Sequence, residues 1–360
     1  MYNFRLPIAY FYKGRDMKLL LSGGCGYIGS HTAYEFLKNT QAQIVLLDNL
    51  STGFKETFEY LQKKFPSRVS FFEASLEEVE KIDAFLANNH FDCVIHFAAS
   101  IIVSESVANP LKYYLNNTVN TTNLINLCVK HKIKNFIFSS TAAVYGEPPI
   151  NPVIESTQTS PINPYGSSKL MSEWVLRDSA LAHDFKYIAL RYFNVAGSNV
   201  DNTAEELAKA EGLGQRSLNA THLIKVASEC AIGVRESMGI YGDDYPTPDG
   251  TCIRDYLHIN DLARAHLSAY GYLLEKQECN IFNVGYNKGY SVKEVVETMK
   301  RVTGIDFEAK ISPRREGDPA ILIAGNEKLL SHTSWKPLYN DLELICKSSY
   351  EWEKNLRNKA

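Results

Sequence analysis

Nowhere in this chain does a Cys-x-x-Cys pair occur, and its seven cysteines (Cys25, Cys93, Cys128, Cys230, Cys252, Cys279, Cys346) are odd in number and widely spaced. Such spacing argues against a disulfide framework and a thiolate zinc site, so no metal is expected and a reducing, cytoplasmic setting fits. The sequence also lacks any run approaching the roughly 20 apolar residues that a bilayer crossing needs. Its apolar piece Leu6 to Tyr12 contains Pro7 and has no small-residue cleavage site, which points to a soluble protein with no membrane partner. Strong charge of either sign is missing too. A formal net charge of -3 over 360 residues offers no broad footprint for nucleic acid or an anionic membrane, so an anionic ligand has to be held by a few local groups. Internal repeats and low-complexity segments are likewise absent from the sequence.

What is there is a globular composition, 45% hydrophobic and 22% charged, sufficient for a large buried core. From Met17 to about Ser140, short apolar or β-branched runs alternate with helical stretches, the pattern of parallel strands joined by crossover helices. Strands are predicted over Lys18 to Ser22, Gln43 to Asp48, Val69 to Glu73, Cys93 to Phe97 and Asn135 to Ser139. A helix over Tyr165 to Ser179 and a sixth strand over Tyr187 to Arg191 follow. The fold class is therefore α/β, with a doubly wound, mostly parallel Rossmann sheet over residues 17–195. Beyond it a polar stretch from Asn199 to Ser217, and then Gly242, Pro246, Pro248 and Gly250, interrupt the alternation. Residues 196–360 read mainly as a smaller C-terminal α/β substrate-binding lobe, packed on the open edge of the sheet, with some segments returning to the Rossmann domain. Short helical and strand pieces are expected there, among them an amphipathic helix near Val292 to Arg301. Residues 1–16 show no period and read as an N-terminal appendage. An upstream start, with Met17 the functional first residue, is favoured over a short surface strand.

Gly23, Gly26 and Gly29 directly follow the first strand and open a helix, a Gly-x-x-Gly-x-x-Gly turn. Glycine suits such a turn because the backbone must reach unusual angles, approach a pyrophosphate and pack a helix closely on its strand. The motif alone is weak. Asp48, nineteen residues after Gly29 at the tip of the second strand, strengthens it, since a carboxylate there accepts from the adenosine ribose and repels a 2′-phosphate. NAD is thus favoured over NADP.

Tyr165 and Lys169 stand four apart on a predicted helix, which puts phenol and ammonium on one face. A free tyrosine is a poor base at neutral pH, but the Lys169 charge and an oxidised nicotinamide favour phenolate, and Lys169 can also hydrogen-bond the nicotinamide ribose. Ser139, Ser140 and Thr141 close the fifth strand at the carboxyl edge of the sheet, where Thr141 can reach a reacting hydroxyl. The catalytic set is Tyr165, Lys169 and Thr141.

These runs, together with Ser30-His31, Leu47-Asp48-Asn49-Leu50, His96-Phe97-Ala98-Ala99, Arg191-Tyr192-Phe193-Asn194, Arg254-Asp255-Tyr256 and Arg314 to Asp318, resemble the extended short-chain dehydrogenases. Within them the chain looks like the UDP-hexose 4-epimerases across Met17 to Trp352. The resemblance implies that NAD is touched by Gly23, Gly26, Tyr27, Ile28, Gly29, Asp48, Asn49, Phe97, Ala98, Ala99, Asn116, Tyr165, Lys169 and Phe193. It implies a UDP-sugar held by Thr141, Asn194, His222, Leu223, Tyr241, Arg254, Arg315, Asp318 and Leu322. Guanidinium groups are natural partners of a diphosphate, which agrees with two arginines in that set. The implied reaction is oxidation at sugar C4 with Tyr165 taking the hydroxyl proton, rotation of the 4-keto sugar, and reduction from the opposite face. A homodimer through two sheet-flanking helices, and a place in galactose use or surface-glycan supply, are also implied.

Departures from the family pattern fall at Ser75-Leu76, where Asp-Ile or Asp-Leu is frequent, at Ile101, where many relatives carry a cofactor-proximal lysine, and at Asn120, where glycine is common. Leu322, four residues after Asp318, stands where enzymes restricted to plain hexoses carry a tyrosine. The smaller side chain predicts room for a 2-acetamido group, and so UDP-GlcNAc/UDP-GalNAc alongside UDP-Glc/UDP-Gal. A dehydratase of the same superfamily needs an extra acid and base beside Thr141, where Ala142 and Ala143 stand. The same motifs would also serve a net sugar reductase or a non-catalytic dinucleotide sensor.

Overall fold

The computed structural model describes Tyr12 and residues 16–218, 220–315 and 317–357. Six strands alternate with helices along the first half: β1 (Lys18–Ser22), β2 (Gln43–Asp48), β3 (Val69–Glu73), β4 (Cys93–His96), β5 (Asn135–Thr141) and β6 (Lys186–Tyr192). The crossovers include α1 (Tyr27–Asn39), α2 (Lys55–Lys64), α3 (Val79–Ala87), α4 (Asn120–Lys130) and α5 (Pro164–Ala182). The central strands are apolar without alternation because helices cover both faces; Leu19, Leu20 and Leu21 are all fully buried. One apolar layer joins β1 and β2 to α1, and the other joins β4 and β5 to α3, α4 and α5.

In the second half lie β7 (Asn194–Ala196), β8 (Ser237–Tyr241), β9 (Ile253–His258), β10 (Asn280–Val284), β11 (Gly289–Ser291), β12 (Glu308–Ser312) and β13 (Ile321–Leu322). Four longer helices accompany them: α6 (Leu223–Ala231), α7 (Ile259–Lys276), α8 (Val292–Thr303) and α9 (Leu342–Arg357). The main sheet runs β10-β6-β5-β4-β1-β2-β3, with every neighbouring pair parallel. Strand order reverses between β1 and β4, and there the carboxyl ends part to leave the crevice in which such sheets bind ligands. A small sheet, β11-β9-β13 with β7 beside β9, and a separate β8–β12 ribbon make the second lobe.

Several boundaries differ from expectation. β4 ends at His96 rather than Phe97, because the Phe97 and Ala98 amides both turn to donate to the Ser22 carbonyl, at 2.9 and 3.1 Å. β5 extends to Thr141, and the helix of Tyr165 begins one residue earlier and ends at Ala182. The open edge beyond β6 is covered by β10, a seventh strand from the C-terminal half. That half also holds two long helices where only short pieces were expected; α7 lies against α1 and α9 against α6. Most of the expected N-terminal appendage, residues 1–11 and 13–15, lies outside the described residues. Tyr12 itself is buried, with its ring stacked on Tyr270 and its hydroxyl donating to the Leu267 carbonyl at 2.5 Å. At least this residue of the appendage therefore belongs to the core.

Candidate active site

The glycine turn works by close approach. Gly23 has φ +71°, and a Cβ there would stand 2.6 Å from the Ala98 nitrogen; one on Gly29 would stand 2.3 Å from the Gly23 carbonyl oxygen. Substitution at either would push β4 or α1 away from the crevice. Helix α1 is capped by Gly26, which has no side chain to occupy the first-turn amides, so these point their N–H groups to where a pyrophosphate binds. Asp48 is buried, and its two oxygens accept from the Cys25 and Leu50 amides, each at under 3 Å. Burial raises its pKa and those amide bonds oppose the rise. Spare lone pairs on the same oxygens can take ribose hydroxyls. The cradle, the uncapped helix start and the carboxylate together fit a dinucleotide.

Phe97 and Ala98 line the turn through their backbone, and Ala99 follows them. Asn49 stands apart, exposed, with its side chain used by Ser51. Asn116 bonds Ser100 Oγ at 3.2 Å. Ile101 is exposed, and the Ser75 amide is held by Glu78.

The helix carrying Tyr165 and Lys169 is placed by its own start. Asn163 caps it by accepting from the Gly166 amide at 2.9 Å, and Pro164 fills the first helical position. Gly166 permits contact with the preceding 3-10 turn (Ala142–Tyr145), since a Cβ there would lie 2.5 Å from the Ala143 carbonyl oxygen. That contact brings the Tyr165 side chain close to the Thr141 hydroxyl. Thr141 also accepts from the Ala143 amide at 3.1 Å. Lys169, one turn on, is buried with Nζ donating to the Ser139 carbonyl at 3.0 Å and lying 4.9 Å from the Phe138 ring centre.

Burial pushes Tyr165 above its ordinary value, and the nearby Thr141 hydroxyl opposes the rise. Burial also pushes Lys169 down to about 7. The helical spacing puts both groups on one face, but that face is desolvated, and desolvation disfavours phenolate and ammonium alike.

Of the other expected residues, Asn194, Arg254, Asp318 and Leu322 come together around β9, whereas Arg315 with Tyr241, and His222 with Leu223, lie on other elements. Arg254 on β9 donates to the Ile253 and Ala320 carbonyls, with its guanidinium 3.9 Å from Asp318. Asn194 is register partner of Tyr256 and donates to the Asp255 carbonyl, and Leu322 is register partner of Arg254. Leu322 is buried in one cluster with Phe193, Ala142 and Tyr145, which joins it to the catalytic strand end. Arg315 stacks 3.6 Å over the Tyr241 ring at the β8–β12 ribbon. His222 is exposed and Leu223 half-buried at the start of α6.

Sequence reading missed the residues that hold these in place. Asn117, next to the expected Asn116, accepts from the Ser100 amide and donates to Ser100 O and Ser168 Oγ, tying the loop after β4 to α5. Tyr113 meets Tyr165 edge-on at 6.4 Å between ring centres. Glu173 takes Arg191 in a buried two-point bond of 2.9 and 2.6 Å, anchoring α5 to β6. Asp255, pushed up to about 6 by burial, accepts from the Tyr286 and Ala324 amides and so joins β9 to two neighbouring segments. The one available signal was polar residues inside otherwise apolar runs.

Comparison with known proteins agrees with this geometry. The chain is 42% identical over 339 residues to a UDP-glucose 4-epimerase of Azospirillum brasilense, covering 94% of this chain and 92% of that protein. Among solved structures, the UDP-Glc/GlcNAc 4-epimerase of Campylobacter jejuni is 54% identical with a TM-score of 0.80, covering 94% of this chain and 99% of that one. The UDP-glucose 4-epimerase of Bifidobacterium longum, crystallised with NAD+ and UDP, is 33% identical with a TM-score of 0.89, covering 95% and 100%. Residues 19–285 match the profile of the NAD dependent epimerase/dehydratase family. With the glycine cradle, the Tyr165–Thr141 contact and the parallel sheet already in place, this chain belongs to the NAD dependent epimerase/dehydratase family.

Proposed function

We propose that the protein is an NAD-dependent 4-epimerase of UDP-hexoses, acting on UDP-Glc/UDP-Gal and also on UDP-GlcNAc/UDP-GalNAc. The observation that carries this is the placement of Tyr165 and Lys169, on α5, next to Thr141 at the carboxyl edge of β5, where the following residue Ala142 shares one apolar cluster with Leu322. NAD, when bound, supplies a reversible two-electron acceptor for sugar C4. Tyr165 takes the C4 hydroxyl proton and returns it, and Thr141 orients that hydroxyl. Lys169 bonds the nicotinamide ribose, and as an ammonium it stabilises the phenolate. Arg254, Arg315, Asp318, Asn194, His222, Leu223 and Tyr241 grip UDP, leaving the hexose free to present either face. Ala142 and Ala143, next to Thr141, have no proton to give to an elimination, which sets a dehydratase aside. Purified protein incubated with UDP-Glc and, separately, UDP-GlcNAc is expected to form both C4 epimers without net NADH; no epimer from either sugar would refute the reading.

The working unit is a homodimer. Val107, Leu111, Leu115 and Val119 are exposed on three short helical segments (Val103–Ala108, Pro110–Tyr113 and Tyr114–Val119) that contact α5, on which Met171, Trp174 and Leu181 are exposed. An exposed apolar face shared by α5 and these segments suits a second copy related by a two-fold axis. Sedimentation of Trp174→Glu as a monomer would support this; a monomeric parent protein would exclude it. A cytoplasmic location accords with the cysteines, which are all unpaired, and among the described residues no helix is long and apolar enough to cross a membrane.

A further inference from the structure

Behind the expected substrate residue His222 lies a buried ionic cluster. Lys225, on the first turn of α6, has a side chain 1% exposed, and its ammonium pairs with Glu353 of α9, whose side chain is wholly buried. Glu229 lies 3.6 Å from the same ammonium and also binds Arg235, and Arg357 binds Glu353 at 2.9 Å. Lys225 Nζ further donates to the Gln215 carbonyl at 3.2 Å, and the indole N–H of the adjacent α9 residue, Trp352, donates to that same oxygen at 3.2 Å. The Trp352 ring presses on Gly214, where a Cβ would come within 2.3 Å of it. Gln215 in turn directs its side-chain amide to His222 Nδ1 at 3.1 Å.

A continuous chain of contacts thus runs from the C-terminal helix, through one carbonyl oxygen, to the exposed His222 ring at the start of α6. An amide N–H donated to Nδ1 fixes the neutral ring with its proton on Nε2, so His222 offers a donor to an acceptor oxygen of the ligand. Buried ion pairs contribute little to stability, because desolvation of both charges offsets their attraction, and apolar replacement of both partners is often neutral or stabilising. Holding a loop in one place is a use that apolar packing serves less well, since contacts without direction let the Gln215 carbonyl slide.

We propose that Lys225 and Glu353 are positioning residues for the nucleotide site, holding the Gln215–His222 wall against the UDP moiety from the C-terminal helix. This rests on the reading of His222 as a substrate contact. The test is the double variant Lys225→Met/Glu353→Leu, with His222→Ala as a separate control, measuring KM and kcat for UDP-Glc, UDP affinity and thermal midpoint. The expected result is a KM and UDP dissociation constant raised about tenfold, with kcat little changed and the midpoint unchanged or higher. A merely structural pair would lower the midpoint and leave KM alone, which would overturn the proposal. If His222→Ala raises KM while the folded double variant does not, the positioning role is wrong and the substrate contact stands. If His222→Ala leaves KM unchanged, the contact itself is refuted, and the proposal with it. Should the double variant not fold, Gln215→Met cuts the last link without touching the ion pair, and an unchanged KM there overturns the proposal.

Discussion

Leu322 lies beside Arg254 in the parallel pairing of β13 with β9, so the residue expected to shape the sugar pocket and a residue expected to hold the diphosphate share one backbone register. Leu322 is also buried against the cluster that contains Phe193 and Ala142. Leu322→Tyr adds a ring and a hydroxyl to that space. Turnover of UDP-GlcNAc is expected to fall about tenfold or more relative to UDP-Glc, the discrimination one lost pocket contact supplies. Identification of products from both sugar pairs decides it; equal loss on both would mean that the pocket is shaped elsewhere.

In the proposed reaction Tyr165 takes the C4 proton beside Thr141, while Arg254 and Asp318, proposed to hold the diphosphate, lie on other elements. Tyr165→Phe is therefore expected to lower kcat by roughly two to four orders of magnitude while UDP affinity stays within about a factor of two. Calorimetry with UDP and single-turnover kinetics separate the two effects. Retained turnover would remove Tyr165 as the base and favour a dinucleotide sensor.

Burial holds Lys169 at about 7 in the folded chain, whereas an exposed lysine in the unfolded chain titrates near 10.4. Between those values the unfolded chain binds more protons than the folded one, so this residue makes stability rise with pH across that window and adds no slope below it. In Lys169→Met the rise should disappear. Urea midpoints taken below, within and above the window measure it, and an unchanged slope in the variant would show that the lysine keeps its charge when folded.

Glu173 accepts from one edge of the Arg191 guanidinium, through Nε and Nη2, and also from Ser140 Oγ, at 2.5 Å. Glu173→Ala would leave a guanidinium buried with Tyr145 as its remaining partner. The expected loss is about 3–5 kcal/mol, the penalty for an uncompensated buried charge. Denaturant unfolding of this variant beside Lys134→Ala, which breaks an exposed pair with Asp184, provides the contrast. Exposed pairs contribute about 1 kcal/mol or less, and similar losses in the two variants would contradict the buried-charge argument.

The parallel strands, the turn at Gly23 and the catalytic helix were legible because each is written in neighbouring residues. Apolar runs, a glycine period and a four-residue spacing are local signals. β10 was not legible in that way: its five residues, Asn280 to Val284, resemble any short apolar run, and only the edge left beside β6 assigns them to the main sheet. The same holds for α9, whose amphipathic pattern announces a helix without naming its partner. Tyr12 sits in a segment without period, and its burial depends on the Leu267 carbonyl and the Tyr270 ring, far along the chain.

The amino-acid sequence alone determined the fold class and the glycine turn, and its covalent spacing placed the proposed reacting residues Tyr165 and Lys169 on one helical face. Tertiary structure decided their environment. Desolvation, a sum over every neighbour, raises the phenol and lowers the ammonium, and no local spacing encodes such a sum. It likewise decided that Lys225 meets Glu353 and Arg191 meets Glu173, because long-range ion pairs come together only when separately formed elements dock.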